Sequence, residues 1–209
     1  VIEKLHILFE QSGIQKGDKI AICGKNSSRW GMAFFSVVTY GAVAVPILHE
    51  FHPNQVHDIV NHSESKLFFV GEREYANLDA AAMPGLTGIV GINDYEILSS
   101  KKDNLVQARE NLNKLFGERF PNTFRPQDVQ YHQCEPEELA VINYTSGTTS
   151  NSKGVMIPYR ALSSNIEFGI GAIGHFVKPG DRVLSMLPMA HMYGMAFEFL
   201  FEFISGMHI

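Results

Sequence analysis

Apolar residues along the chain follow two alternating patterns, helical stripes and short continuous runs. Positions 2, 5, 8 and 9 form a stripe that predicts a helix over residues 1–11. Short apolar runs bounded by glycine, proline or charged residues predict buried strands. Stripes and runs alternate as far as residue 92, and strands separated by helices at this spacing pair in parallel through right-handed crossovers. The pattern therefore predicts an α/β fold with a parallel sheet.

Punctuating residues place the individual elements of the first half. Residues 26–28 are N-cap candidates for a helix that ends at Gly41, and Pro53 opens the next helix. An amphipathic pattern between Asp103 and Gly117 predicts another helix. The predicted strands of this half lie at 19–23, 42–47, 66–70 and 88–92.

The second half begins with a polar stretch. Residues 117–138 contain three prolines and predict an extended surface linker. The elements predicted after it are a strand at 139–142, a helix at 159–176, a strand at 182–187, a loop at 188–194 and a helix at 195–204. The alternation of phenylalanine with Glu198 and Glu202 would also suit a strand in the last of these, but its length favours a helix. We thus predict a first α/β part (1–116), a linker (117–138) and a second part (139–209).

Composition excludes several classes of protein. A net charge of −5 without a Lys/Arg cluster argues against a nucleic-acid-binding protein. Cys23 and Cys134 have no metal-binding spacing and suit a reducing compartment, so we expect a cytoplasmic location. No apolar run reaches the roughly 18 residues of a membrane span, and no signal peptide is visible.

The most informative stretch is the polar loop after strand 139–142. Gly147 and Gly154 expose backbone N–H groups, and Lys153 adds a positive charge. The hydroxyl donors of this loop are Thr145, Ser146, Thr148 and Thr149. Such a set can hold a polyphosphate, although by composition alone the loop would equally suit a flexible connection. A P-loop needs glycine before the lysine and Ser or Thr after it, and the order here is the reverse.

The order Thr145-Ser146-Gly147-Thr148-Thr149 followed by Lys153-Gly154-Val155 resembles the phosphate-binding loop of AMP-forming adenylating enzymes. This family comprises acyl-CoA synthetases, luciferases and the adenylation domains of peptide synthetases. Two positions depart from its pattern, since Ser150 replaces the usual glycine and Ser152 the usual proline. Segment 188–194, Pro-Met-Ala-His-Met-Tyr-Gly, resembles the family's second signature, and segment 40–46 resembles a strand of its amino-terminal region.

The resemblance covers essentially all 209 residues and implies a fold, a reaction and a site. The fold is the amino-terminal domain of acyl-adenylate-forming enzymes, incomplete here, with its parallel-sheet βαβ subdomains. The reaction is ATP-dependent activation of a fatty acid to acyl-AMP and then acyl-CoA, with small-molecule partners (fatty acid, ATP and coenzyme A). The implied contacts are Thr145 to Mg²⁺; Thr145, Ser146, Gly147, Thr148, Thr149, Lys153 and Gly154 to ATP phosphates; His191 as the catalytic residue beside the carboxylate; and Met192, Tyr193, Gly194 and Met195 in the acyl pocket.

Three alternatives stay open at this point. An aryl- or amino-acid-adenylating relative would share the loop, a hydrolytic NTPase would need no acid, and a non-catalytic module would only bind nucleotide. We also expect a fragment of a longer protein that is inactive alone, because the resemblance places adenine contacts and a further lysine in later segments. Peripheral membrane contact and a homodimer stay open.

Two tempting motifs are set aside. Residues 169–174 satisfy the GxGxxG pattern, but they lie within a predicted helix and not after a strand. His49, His52, His57 and His62 are close in sequence, but no carboxylate or thiol completes a metal-binding set.

Overall fold

The computed structural model describes residues 1–145 and 153–209 and contains one seven-stranded sheet. The strands are β1 Lys19–Cys23, β2 Val43–Ile47, β3 Leu67–Val70, β4 Gly88–Gly91, β5 Ile97–Ser100, β6 Leu139–Thr145 and β7 Lys153–Pro158, in the order β5-β4-β3-β1-β2-β6-β7. The helices are α1 Ile2–Gln11, α2 Ser28–Tyr40, α3 Pro53–His62, α4 Glu72–Tyr75, α5 Asp103–Glu110, α6 Leu112–Arg119, α7 Tyr159–Ile173, α8 Met192–Met195 and α9 Phe201–Ile204. Short 3₁₀ turns cover Ala80–Ala82, Pro126–Asp128 and Gly174–Phe176.

The centre of the sheet is parallel, as predicted. Strand β1 pairs in parallel with β2 and β3, β3 pairs with β4, and β2 pairs with β6. Parallel strands are covered on both faces and therefore read as continuous apolar runs. On one face Ile20 and Ile22 join a core formed with α1, α2 and α5; on the other Ala21 packs in a core formed with α3. The sheet continues across the predicted linker, since β6 joins β2 directly.

Helix α2 begins and ends where the capping residues predict. The Ser27 side chain accepts a hydrogen bond from the Trp30 amide at 3.1 Å. Gly41 follows the helix in a left-handed conformation with φ of +85°, which favours glycine. Helix α3 starts with Pro53 at its first position, also as predicted. These boundaries could be found from sequence because local hydrogen bonding sets them.

The edges of the sheet differ from the prediction. Strand β5 pairs antiparallel with β4, and β7 pairs antiparallel with β6; the sequence reading found neither. Both strands are short or half-exposed, so neither carries the apolar run of a central strand. The helix expected between Asp103 and Gly117 is two helices, α5 and α6, separated at Asn111, and α6 runs past Gly117 to Arg119.

The strand predicted at 182–187 is wrong. Within the described residues, this segment has a single bridge, Arg182 to His208, and Leu184 and Met186 are 80% and 78% exposed. A strand requires a ladder of backbone partners. Here the amides of Met186 and Leu187 donate instead to the Glu198 carboxylate, at 2.7 and 2.8 Å.

The last helical segment runs from residue 192 to 204 and includes a π-helical turn at Ala196–Leu200 between α8 and α9. We refer to it as the 192–204 helix. The prediction of a helix at 195–204 is confirmed, but the helix begins three residues earlier because His191 caps it. Its buried face includes Met195, Phe199 and Phe201. No helix in the described part of the chain is long and apolar enough to cross a membrane.

The buried carboxyl group of Glu202, on this helix, is expected to make the stability of the protein depend on pH. Burial, with a smaller effect of the Glu198 charge, raises the pKa of Glu202 from 4.5 to about 7. A carboxyl with a raised folded-state pKa keeps its proton while the unfolded chain ionises, so stability falls as pH rises from about 4.5 to 7. We expect Glu202→Gln to flatten the dependence of melting temperature on pH across that window. Exposed Glu167→Gln is the control, and equal pH curves for both variants would contradict the prediction.

Candidate functional site

The predicted phosphate loop connects two strands of a hairpin. Strands β6 and β7 are antiparallel, and their last described pair is Thr145 with Lys153, both exposed. The sequence predicted that a helix would follow the loop directly, and this is wrong, since β7 stands between the loop and α7. The predicted contacts Ser146, Gly147, Thr148 and Thr149 lie outside the described residues. The structure thus places a hydroxyl and an ammonium group on opposite strands where the loop begins and ends.

Gly154 has a packing role in this hairpin. A Cβ atom at this position would lie 2.9 Å from Cγ2 of Ile142 and 3.0 Å from Cζ of Tyr144. The Tyr144 ring is held in place, because its hydroxyl hydrogen-bonds to Nδ1 of His62 at 2.6 Å. Close approach of the two strands therefore requires glycine here, beside any contact that its backbone makes to phosphate.

Replacing Gly154 with alanine is expected to destabilise the protein by about 1–3 kcal/mol, the usual effect of forcing a methyl group into a packed site. The measurement is the change in unfolding midpoint. Gly171→Ala is the matched control: its Cβ would meet nothing within 4 Å, and it lies within α7. Alanine in an exposed helix is favoured over glycine by up to about 1 kcal/mol, so the control should be neutral or stabilising. Equal effects of the two substitutions would contradict the packing role.

A buried hydrogen bond brings the two sequence signatures together. Asn143, on β6 two residues before Thr145, donates from Nδ2 to the carbonyl of Ala190 at 2.9 Å. Asn143 and Ala190 are both buried, whereas the next residue, His191, is exposed. The strand that leads into the loop is therefore bonded directly to the segment that carries the histidine.

His191 caps the 192–204 helix and has a defined orientation. Its Nδ1 accepts a hydrogen bond from the Tyr193 amide at 3.3 Å. Because an accepting ring nitrogen carries no proton, the proton of the neutral imidazole lies on Nε2. That N–H is a hydrogen-bond donor of the kind that can hold a carboxylate oxygen.

Two further side chains hold the segment before His191. Asn26, after β1, donates to the Leu187 carbonyl at 2.8 Å and accepts from the Met189 amide at 2.7 Å. Glu198 accepts from two backbone amides and from the Ser185 hydroxyl. Burial acts to raise the pKa of Glu198, but these hydrogen bonds outweigh it and hold the pKa below its ordinary value.

The sequence analysis missed the contacts of Asn26, Asn143 and Glu198. Asn26 suggested only an N-cap, although Ser27 has that role. Asn143 did carry a signal, since a polar residue in a buried apolar strand needs a hydrogen-bond partner. Nothing in the sequence indicated which partner it would find.

The predicted acyl-pocket residues have different environments. Met195 and Gly194 are buried, Met192 is half-buried and Tyr193 is 56% exposed. A cavity of about 540 Å³ lies next to this segment, and the side chains lining it are mainly apolar, among them Met32, Phe35, Leu184, Met189, Phe199 and Phe203. Residues 192–195 are not among its lining, so their contact with substrate stays a prediction. Phe199 packs against Trp30 and Phe34 in the core and also lines the cavity.

The GxGxxG motif and the histidine group, which the sequence analysis set aside, include residues with structural roles. Gly169 lies in α7, where a Cβ would approach the Phe201 ring to 2.9 Å, so close helix packing accounts for it. His52 caps α3, and Nε2 of His57 accepts from the Asp79 amide at 3.1 Å. In residues 1–145 and 153–209, no three His, Cys, Asp or Glu side chains cluster closely enough to hold a metal ion.

The described ends of the loop fit the phosphate part of a nucleotide. Lys153 offers an exposed ammonium group, and Thr145 an exposed hydroxyl. An oxygen ligand is the type that Mg²⁺ prefers, and Mg²⁺ at nucleotide sites takes most of its other ligands from water and phosphate oxygens. Thr145 therefore fits as a single protein ligand and not as a complete metal site.

These groups gather at one edge of the sheet. Strands β1 and β6 both pair in parallel with β2, so they run in the same direction; Asn26 follows the carboxyl end of β1, and Thr145 is the last residue of β6. Open parallel sheets bind their ligands at this edge. The fold is thus that of an open-sheet α/β protein, with these polar groups at the edge where such sheets bind ligands.

Comparison with known proteins identifies the family. The family model described as AMP-binding enzyme matches residues 6–209, and the chain belongs to that family. It is 28% identical over 196 residues to fatty acyl-CoA synthetase A of Dictyostelium discoideum, covering 94% of this chain and 29% of that protein. It is 31% identical over 200 residues to the human long-chain-fatty-acid–CoA ligase 1, covering 86% of this chain and 27% of that protein.

A solved structure shows the same fold. The red-emitting luciferase of Phrixothrix hirtus matches with a TM-score of 0.80 at 20% identity, over 98% of this chain and 38% of that one. The predicted α/β fold of adenylate-forming enzymes is thereby confirmed. The chain spans less than a third of the length of the two curated relatives described above.

Proposed function

We propose that the whole protein is an AMP-forming fatty-acid–CoA ligase. It would join a fatty acid to the α-phosphorus of ATP, with release of pyrophosphate, and then transfer the acyl group from AMP to the thiol of coenzyme A. Membership of the AMP-binding enzyme family supports adenylate chemistry. The names of the fatty acyl-CoA synthetase and long-chain ligase relatives support a fatty acid as the substrate.

The observation that carries the proposal is the hydrogen bond from Asn143 to Ala190. Activation of an acid requires its carboxylate and the phosphates of ATP to meet in a fixed geometry, and such positioning can supply much of the rate. The bond ties the strand that enters the phosphate loop to the segment that carries His191. This contact supports a site in which the two predicted halves lie close together.

Each described site residue has a chemical role in this proposal. Lys153 would neutralise the charge of the leaving pyrophosphate, and Thr145 would give its hydroxyl to Mg²⁺. Bound Mg²⁺ would supply further neutralisation of phosphate charge. The Nε2–H of His191 would hold an oxygen of the acid, so that the other oxygen faces phosphorus. Fixed groups that meet developing charge are a principal source of rate enhancement.

The surroundings of His191 favour an apolar acid. Ala190 precedes the histidine, and the cavity next to this segment is lined mainly by apolar side chains. An apolar cavity suits an alkyl chain better than the ammonium group of an amino acid. Residues 1–209 alone should not turn over, because the resemblance places other nucleotide contacts in later segments.

The test is ATP–pyrophosphate exchange by the whole protein with a panel of fatty, aryl and amino acids. We expect exchange only with fatty acids, followed by thioester formation when coenzyme A is added. Exchange with aryl or amino acids alone would overturn the substrate assignment. Release of orthophosphate without any acid would show a hydrolytic NTPase and overturn the reaction itself.

A further inference from the structure

Asn26 holds the segment before His191 in an unusual way. Its side-chain Nδ2 donates to the carbonyl of Leu187, and its Oδ1 accepts from the amide of Met189. In a parallel sheet, the backbone of one residue bonds to the two residues that flank its partner. It donates to the carbonyl of the preceding residue and accepts from the amide of the following one. The carboxamide thus takes the place of a strand residue opposite Pro188.

The proline between the two bonded residues is compatible with this arrangement. Pro188 has no N–H to donate, but Asn26 bonds only to backbone groups of the residues on either side of it. Both distances, 2.8 and 2.7 Å, are those of well-formed hydrogen bonds. The side chain of Asn26 alone therefore fixes both the position and the direction of the backbone at residues 187–189.

Asn26 also connects distant parts of the chain. It lies between β1 and α2, and the two residues to which it bonds follow it by 161 and 163 positions. Asn143 fixes the same segment one residue further on, through the carbonyl of Ala190. The two asparagines hold residues 187–190 from the carboxyl ends of two strands that run in parallel.

We propose that Asn26 is a positioning residue that sets where His191 stands relative to the β6–β7 hairpin. This inference rests on the proposed function. With Asn26 removed, the histidine would stay in the protein but lose its fixed distance from the hairpin. The defect should therefore appear in the use of the acid and not in the binding of ATP.

The test compares Asn26→Ala, Asn26→Asp and Asn61→Ala in the whole protein. Asn61 is the matched control, because its Nδ2 also donates to a backbone carbonyl, that of Ala82 at 2.8 Å, away from the segment. Asn26→Asp keeps the shape and the acceptor but turns the donor into an oxygen that repels the Leu187 carbonyl. We expect both Asn26 variants to lower kcat/KM for the fatty acid about tenfold, as expected for losing one or two hydrogen bonds, with KM for ATP unchanged.

Two outcomes would overturn the inference. The first is a kcat/KM for the fatty acid that is the same in the Asn26 variants as in Asn61→Ala. The second is an equal loss of kcat/KM for the fatty acid and for ATP, which indicates general destabilisation. If the unsubstituted protein activates no acid, the proposed function fails separately. Hydrogen exchange at the Met189 amide then tests the inference: faster exchange in Asn26→Ala supports the positioning role of Asn26, and unchanged exchange overturns it.

Discussion

Replacing Lys153 with alanine is expected to lower kcat/KM for ATP by about 10- to 150-fold in the whole protein. A hydrogen bond to a charged group contributes about 1.5–3 kcal/mol, and each 1.4 kcal/mol corresponds to a factor of ten. Lys153 is exposed at the first position of β7, opposite Thr145. The melting temperature should hardly change, because no buried contact is removed. Steady-state kinetics with varied ATP are the measurement.

Two further variants make the Lys153 result specific. Lys178→Ala removes the same charge from an exposed turn after α7 and should leave ATP kinetics unaltered. Lys153→Arg keeps the charge but changes its geometry, so it should lose less than alanine. ATP kinetics of Lys153→Ala that match those of Lys178→Ala would contradict the phosphate contact.

The second large effect is expected at Trp30, whose replacement with alanine should destabilise the protein by about 3–5 kcal/mol. The side chain is fully buried. It stacks on Phe34 at 5.7 Å and meets Phe199 edge-on at 6.1 Å between ring centroids. Phe199 belongs to the 192–204 helix, so the loss should loosen the helix that follows His191. Chemical denaturation gives the size of the effect.

Trp30→Phe separates lost packing from lost polarity. The indole Nε1 is buried and has no hydrogen-bond partner among the described residues. A buried unpaired donor costs about 1–3 kcal/mol, so removing it offsets part of the lost volume. Phenylalanine should therefore be tolerated far better than alanine. A phenylalanine variant as unstable as the alanine variant would contradict this account.

The sequence predicted most of the parallel centre of the sheet. The central strands are mainly apolar runs, and several helix boundaries there are marked by a local signal such as Ser27, Gly41 or Pro53. The edge strands β5 and β7 were missed because each has a neighbouring strand on one side only. Their residues are therefore more exposed and do not form the apolar run that marks a central strand. The predicted strand at 182–187 failed because its amides find Glu198 and not a neighbouring strand.

The candidate site divides in the same manner. The sequence assigned Thr145, Lys153 and His191 to the site because their order along the chain resembles a family motif, and their contacts to substrate stay predictions. The sequence could not show the roles of Asn26, Asn143 and Glu198. Each of these side chains hydrogen-bonds to the backbone of residues 186–190, and neither the position nor the conformation of that segment can be read from the sequence. Gly154 was predicted as a phosphate contact, and the structure adds a packing requirement against Tyr144.

The sequence by itself determined the alternation of helices and strands, the apolar core and the order of reactive groups along the chain. Periodicity and capping are properties of neighbouring residues, so they can be recognised without a fold. Only the tertiary structure decided that Asn143 and Asn26 hold the segment before His191 and that the predicted phosphate loop joins two strands. Those contacts join residues separated by up to 163 positions, and only the folded sheet brings them within hydrogen-bonding distance.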